Sequence, residues 1–456
     1  MNTLFPDKPE PTRISPDTHG LVASQISDHA LNVLQRLHDQ GYAAFLVGGC
    51  VRDLLRGMRP KDFDVVTDAK PEQVRSLFRH ARIIGRRFRI VHVIFGHDMI
   101  EVTTFRGGDE DGVRRSDQGR ILRDNVFGSI DEDVWRRDFA CNALYYNFAN
   151  AEIVDYVQGW QDIETGHLRI IGNPVTRYQE DPVRMLRAAR FMAKLGFTLT
   201  DDSVSAIQEC RDLLKSIAPA RLFDESIKIF QGGYAWAAFL KLRELDLLGY
   251  LFPGLDDLLN RDYDRISRLV ERVLVGTDER VGHQLPVNPA FMLAGLLWAD
   301  LSRRREHWLH QRVDSDVAFA LAMDEVIEST VKQVAIPRRL TDLMRVIWSL
   351  QPTLEQAAQG MPMGMAMTEL KDQQKHLLAH AWFRAALDFL CLRSEIGEVS
   401  PDICQFWRQY APERDMDSGE TVPTHLPEDF ARHGDPQRRP RRRRPPRQPK
   451  NPSTNK

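Results

Sequence analysis

Two aspartates one residue apart, Asp62 and Asp64, follow a glycine pair, Gly48-Gly49, in the stretch from Ala44 to Val66. Glycines in a turn put no Cβ between backbone N–H groups and a ligand. A helix beginning near Val51 would aim its free N–H groups at the same place, and this is how a chain cradles phosphate. After Arg59-Pro60 the chain is expected to resume as a strand, which puts Asp62 and Asp64 on one side and Phe63 on the other. Carboxylates held so close repel each other unless a cation neutralises them, and magnesium takes carboxylate oxygens together with substrate phosphates. The chemistry this pattern predicts is two-metal phosphoryl transfer. An Asp-x-Asp alone is more often a solvated strand end; the glycine turn upstream is what gives it a substrate.

Those residues need a strand, a turn and a helix in quick succession, and Phe45–Val47, Gly48-Gly49 and Val51–Leu55 supply them. Ile26, Ala30, Val33, Leu34 and Leu37 recur at helical spacing, with Ser27 or Asp28 as cap, so a helix leads into the first strand. Asp68 to Phe78 suggests a second helix with Pro71 in its first turn. Ile90 to Phe95 and Met99 to Phe105 read as strands, Ala143 to Phe148 as a helix packed under the sheet, and residues 107–124 as a long polar loop of the kind that forms lids. From Asp181 to Gly397 the spacing is helical throughout, without a fixed repeat. The expected class is α+β: a small mixed-sheet head at 23–172, a helical neck at 173–232 and a helical body at 233–411. Disordered segments are expected at 1–22 and 412–456.

A chain of 456 residues exceeds a single core, and 42% hydrophobic with 28% charged residues implies a largely globular protein. No apolar run approaches the roughly 20 residues that span a bilayer, and residues 1–22 lack the apolar centre of a signal peptide, so a cytoplasmic protein is expected. Five scattered cysteines with no C-x-x-C spacing predict neither disulfides nor structural zinc. The net charge of −2 conceals a segregation. Residues 438–456 hold nine Lys or Arg and no acid, leaving 53 basic against 64 acidic groups, a net of −11, in residues 1–437. A basic tail on an acidic body implies a polyanionic partner for the tail.

Leu46 to Leu55, followed by Asp62-Phe63-Asp64, resembles the opening signature of class II nucleotidyltransferases, the superfamily of bacterial poly(A) polymerases and CCA-adding enzymes. Three further blocks agree in order and spacing: Glu101 to Arg106; Arg136-Arg137-Asp138-Phe139 with Asn142-Ala143-Leu144; and Glu180-Asp181-Pro182-Val183-Arg184 continuing to Phe191. The likeness covers residues 41 to about 230. Cys50 stands where the poly(A) branch usually has a third glycine; a small side chain there leaves the turn intact. Residues 85–93, residues 122–129 and the closing arginines look like the poly(A) branch, since CCA-adding enzymes generally lack such a tail.

The resemblance implies template-independent transfer of AMP from ATP to RNA 3′-hydroxyls, with release of pyrophosphate, in RNA processing and decay. It implies that Asp62 and Asp64 hold two magnesium ions, and that Gly48, Gly49 and Arg52 contact the triphosphate. Asp138 is implied as the third catalytic carboxylate, with Glu101 its rival as a third metal ligand. For each, the alternative is a structural ion pair with a neighbouring arginine. Asp181 and Arg184 are implied to select the base, with Arg137, Arg187 and Arg190 completing the nucleotide contacts. Residues 180–190 read as a base-recognition helix, with positions 181, 184 and 187 along one face.

RNA ends (mRNA, small RNA or tRNA-like) would approach past Arg86, Arg87 and Arg89, within a run of arginines from 75 to 89 that no acid interrupts. Arg438, Arg439, Arg441, Arg442, Arg443, Arg444 and Arg447 would add phosphate contacts that read no sequence. A monomer with RNA-decay proteins as further partners is expected. The rival readings are tRNA CCA or A addition at the same site, and an RNA-binding protein with a dead transferase fold, which should have lost Asp62 or Asp64. P-loop chemistry lacks a G-x-x-x-x-G-K-[ST] motif.

Overall fold

The computed structural model describes residues 10–85, 89–107, 114–115, 121–123 and 126–411. Arg86, Arg87, the tail arginines and most of the expected lid lie outside the described residues. The chain forms two compact units that divide between Met344 and Arg345. Among the described residues no helix is long and apolar enough to cross a membrane.

The first unit is built on an eight-stranded mixed sheet. Its strands are β1 (Thr12–Ile14), β2 (Ala44–Val47), β3 (Asp64–Thr67), β4 (Ala81–Ile84), β5 (Ile90–Phe95), β6 (Asp98–Thr104), β7 (Leu144–Asn147) and β8 (Ile153–Asp155), in the spatial order β1-β8-β7-β2-β3-β6-β5-β4. Only β3 and β6 run parallel among these neighbours. Helix α1 (Asp28–Asp39) buries Ala30, Val33, Leu34 and Leu37 against Leu46, Val65 and Val102 on one face. The short helix α2 (Gly49–Leu55) joins the same core through Val51 and Leu54. On the other face Val47, Val66 and Tyr145 pack with Val134 of α3 (Ile130–Arg136). A sheet covered on both faces is a rigid platform for whatever projects from its strand ends.

Two expectations fail here for a common physical reason. Ala143 to Phe148, read as a helix, contains the strand β7, between β2 and β8. Leu144, Tyr145 and Tyr146 are all buried, so the segment shows the unbroken apolar run of a two-sided strand, which periodicity cannot tell from a buried helix. The segment expected to be disordered is ordered from residue 10, because Thr12–Ile14 pairs antiparallel with Ile153–Asp155 and buries Ile14. Three residues carry too little pattern to be seen without their partner strand.

Beyond Asn173 the chain is mainly helical, apart from the short strand Thr198–Leu199 that pairs with His167–Leu168. Its helices include α4 (Pro174–Glu180), α5 (Val183–Leu195), Asp201–Cys210, α6 (Pro219–Phe230), then Ala235–Glu244, Pro253–Arg261, Tyr263–Gly282, Pro289–His310 and Ser315–Val334. Asp181 lies between helices. Pro182 restricts the residue before it to extended backbone, and Asp181 has φ −149° and ψ 90°. In the second unit helices Phe383–Glu395 and Pro401–Arg408 pack Phe383, Leu390 and Trp407 around Leu354. A disulfide links Cys391 to Cys404 there, with Cα atoms 5.3 Å apart. This corrects the expectation of five free thiols. The packing of two helices, which no C-x-x-C spacing announces, brings the pair together, while Cys50, Cys141 and Cys210 remain free and buried.

One glycine controls the loop that carries Asp138. A Cβ on Gly159 would lie 2.2 Å from the Ala140 carbonyl oxygen, and Asp155 fixes this backbone by accepting the N–H groups of Val157, Gly159 and Trp160, each at 3.0 Å. Gly159→Ala is expected to cost about 1–3 kcal/mol, the usual range for forcing an atom into a packed site. Thermal unfolding should register it as a Tm lowered by several degrees; an unchanged Tm would show that the loop yields freely.

Candidate active site

The strand ends of β2, β3 and β6 open into a cleft of about 790 Å³ within the first unit, lined by Gly48, Gly49, Asp64, Glu101, Arg137 and Asp181 among others. Register places its acids. Val47 pairs with Asp64 across β2 and β3, and Asp64 with Glu101 across β3 and β6. Gly48 has φ 85° and ψ −139°, a conformation open to glycine, and a Cβ there would sit 3.7 Å from an Asp64 carboxylate oxygen. The glycine turn and the carboxylate therefore face one another, as the sequence pattern predicts. Asp62 differs: β3 begins at Asp64, so Asp62 precedes the strand, is exposed and is not among the residues lining the cleft.

Burial pushes the Asp64 carboxyl up to about 6; the charges of Glu101 and Asp62 add to the rise, and Arg137 opposes it. Glu101 is flanked on its other side by His92, whose Nε2 lies 3.1 Å from Glu101 Oε1. His92 was missed in the sequence, although a two-residue turn at Gly96-His97 sets the β5–β6 register that pairs it with Glu101. Arg137 is anchored from behind. Its Nε donates to Tyr145 Oη at 2.7 Å and to Asp133 Oδ2 at 3.0 Å, while Asp133 also accepts the Tyr145 hydroxyl at 2.7 Å.

Asp138 points to a different partner. Its Oδ2 accepts Arg187 Nε at 2.8 Å and also Arg187 Nη2, and its Oδ1 accepts the Phe139 N–H at 2.8 Å and Asn142 Nδ2 at 3.3 Å. Burial alone would raise this carboxyl, but Arg187 and the other donors hold it well below the usual carboxylate range. Arg52 is 1% exposed. It donates to Asp53 Oδ1 from Nε at 2.9 Å and Nη2 at 2.6 Å, and from Nη1 to Asn142 Oδ1. Lys194 holds the second Asp53 oxygen at 2.9 Å. Arg52 thus braces Gly49 from within the wall, its guanidinium 3.4 Å from where a Gly49 Cβ would be.

Asp181 and Arg184 both line the cleft, near its helical side. Arg221 of α6 holds Asp181 Oδ2 at 2.6 Å, and Arg184 Nη1 donates to the Arg177 carbonyl at 2.7 Å and to Glu180 at 3.0 Å. Arg190 pairs with Glu225 at 2.9 Å and is not among the lining residues. Arg89 lies away from the cleft lining and pairs with Glu72. Arg221, Glu225 and Lys194 had no signal in the sequence, because each reaches its partner across helix packing.

With this geometry in place, comparison with known proteins decides the family. A model described as the poly A polymerase head domain matches residues 44–169, one described as a probable RNA- and SrmB-binding site of polymerase A matches 196–259, and one described as the polymerase A arginine-rich C-terminus matches 311–448. The chain is 45% identical over 397 residues to poly(A) polymerase I of Escherichia coli O6:H1, covering 85% of this chain and 83% of that protein. The chain belongs to the poly(A) polymerase family.

The poly(A) polymerase I of Haemophilus influenzae is 42% identical over 430 residues, 92% of each chain. A CCA-adding enzyme of Bacillus pumilus is 38% identical over 229 residues, only 50% of this chain. Among solved structures, the Bacillus stearothermophilus CCA-adding enzyme in complex with CTP superposes with a TM-score of 0.55 at 25% identity, covering 84% of this chain and 81% of that one. The protein is therefore an enzyme, a nucleotidyltransferase whose head-domain match spans the carboxylates at 62, 64, 101 and 138.

Proposed function

We propose that this enzyme adds AMP from ATP to RNA 3′ ends without a template and releases pyrophosphate. The observation that carries the reading is the register of Asp64 between the Gly48 turn on one side and Glu101 on the other. Its full-length relatives named as poly(A) polymerases support the same activity.

The donor set fits magnesium. Asp64, Glu101 and the neighbouring Asp62 are hard oxygen donors, and a buried carboxyl pushed up by burial and by like charges is what a divalent cation would relieve. Among the described residues no group of three or more His, Cys, Asp or Glu stands assembled that could hold a metal ion by itself; magnesium commonly completes its shell with substrate phosphates and water. Two such ions, when bound, would activate the RNA 3′-hydroxyl and neutralise charge on the triphosphate.

The chain's own residues do the rest. Gly48 and Gly49 let the triphosphate approach the backbone, with the Arg137 charge beside them and Arg52 bracing the turn. Asp181 and Arg184 hydrogen-bond the adenine, with Arg221 fixing the carboxylate. Asp138 and Arg187 hold the wall between these two ends. The 3′-oxygen forms its bond to the α-phosphorus, the bond from the α-phosphorus to the bridging oxygen breaks, pyrophosphate departs and the hydroxyl proton passes to water. Arg86, Arg87, Arg89 and the tail arginines contribute phosphate contacts to mRNA, small RNA or tRNA-like ends. Action in the cytoplasm as a monomer, alongside RNA-decay proteins, belongs to the same proposal.

The test is incorporation of each labelled NTP with magnesium onto an unstructured RNA oligomer and onto a tRNA lacking its CCA end, with Asp62→Ala plus Asp64→Ala as control. Long adenylate tails on the oligomer, absent from the control, are expected. Addition confined to the tRNA and using CTP would place the enzyme with the CCA-adding relatives, and tight RNA binding without any incorporation would overturn transferase activity.

A further inference from the structure

Three guanidinium groups surround one aromatic ring in the wall of the nucleotide cleft. The central carbons of Arg52, Arg187 and Arg190 lie 5.4, 5.5 and 4.5 Å from the centroid of Phe191. Like charges gathered so closely repel, and each is paired with its own carboxylate: Arg52 with its neighbour Asp53 on α2, Arg187 with Asp138 and Arg190 with Glu225 of α6. Arg187 and Arg190 share helix α5 with Phe191, which brings those two near the ring; the ring faces, which carry negative quadrupole density, attract them and Arg52, which comes from α2. Phe139 fixes the ring from a further side, edge to face at 5.5 Å and 78°, and Phe191 is only 6% exposed. Arg52 and Arg187 themselves line the cleft.

We infer that Phe191 is a positioning residue for the nucleotide: its ring sets the spacing of Arg52 and Arg187 in the cleft wall, with Arg190 closing the cluster. Through Arg52 it steadies the Gly48-Gly49 turn, and through Arg187 it steadies Asp138. The inference rests on the reading that this cleft takes ATP. An aliphatic side chain of similar bulk would fill the space without attracting the cations.

The experiment uses the full chain and ATP with magnesium, measuring Kd by titration calorimetry alongside KM and kcat for tailing of an RNA oligomer. Phe191→Leu keeps apolar bulk and loses the ring face; Phe191→Tyr keeps the face and adds a hydroxyl at the cleft. The Leu variant is expected to raise Kd and KM about tenfold, as loss of desolvated cation–π contacts implies, with kcat within about threefold. The Tyr variant should restore both constants. A Leu variant with wild-type Kd, a Tyr variant as impaired as Leu, or a fall in kcat with Kd unchanged would each overturn the inference. Wild-type protein that binds ATP but makes no tails would refute polyadenylation while the Kd comparison still tests Phe191; wild-type protein that binds no ATP would refute both.

Discussion

Asp64→Asn is expected to lower AMP incorporation by about 10³-fold or more, because a group that holds a catalytic cation accounts for several kcal/mol of transition-state stabilisation. It should do so without unfolding the enzyme. Asp64 is pushed up to about 6 chiefly by burial and then by Glu101 and Asp62, so its charge at neutral pH works against the empty fold. The neutral, nearly isosteric amide removes that repulsion. Tm should therefore stay level or rise by a few degrees while kcat collapses, and Glu101→Gln should behave alike because it faces Asp64 in the β3–β6 register. Thermal unfolding and single-turnover tailing on the same preparations decide it. Activity kept within tenfold would remove Asp64 from the reaction, and a Tm loss parallel to the activity loss would make its role structural.

How far such a site can be read from sequence depends on how far its parts lie from one another along the chain. Gly48, Gly49 and Asp64 were legible because a strand, a turn, a helix and a returning strand follow one another without interruption, and each has a local signature. Glu101 was visible only as a rival ligand. Its place beside Asp64 is set by a parallel pairing of β3 with β6, which no local pattern announces, even though the turn at Gly96-His97 fixes its own hairpin. An arginine partner for Asp138 was foreseen as an alternative, but which arginine was not legible. Arg187 meets Asp138 from 49 residues away and Arg221 meets Asp181 from 40 residues away, across helix packing that short-range periodicity does not encode.

The misread elements obey the same rule. Ala143 to Phe148 carries a strand buried on both faces, so it lost the alternation that marks a strand. Thr12–Ile14 is recognisable only once Ile153–Asp155 is beside it. Asp181 shares a helical spacing with Arg184 and Arg187, but Pro182 breaks the backbone between them, so the three act from a bend and a helix rather than from a single face.

The pairing of Asp138 with Arg187 yields the second large effect. Asp138→Asn leaves the Arg187 charge without its partner in a mostly buried wall. Breaking a fully buried pair costs about 3–5 kcal/mol; with 32% of the Arg187 side chain exposed, solvent screening reduces this to about 2–3 kcal/mol. A Tm lower by roughly 3–4 °C follows for a unit as large as Met1–Met344. The pH profile carries a sign as well. Asp138 is held below its free value, so its contribution is full above about pH 4 and fades as the pH falls through the folded value. The variant should therefore show a flatter acid limb than wild type when Tm is followed from pH 7 downward.

Adding Arg187→Met to Asp138→Asn removes the stranded cation and should recover most of the lost stability. Activity then separates two roles that the sequence alone leaves open. If Asp138 works by holding Arg187, the double variant tails RNA as well as Arg187→Met alone, since nothing remains for the carboxylate to position. If Asp138 meets the nucleotide or the reacting atoms, the double variant is stable yet far less active than Arg187→Met. The geometry favours the first outcome: among the described residues the Asp138 carboxylate accepts hydrogen bonds from Arg187, Phe139 and Asn142, whereas Asp64 and Glu101 pair in register at the open end of the sheet. On that outcome the proposed cation site keeps Asp64, Glu101 and the neighbouring Asp62 as its donors, and Asp138 serves as the post that holds Arg187 beside Phe191.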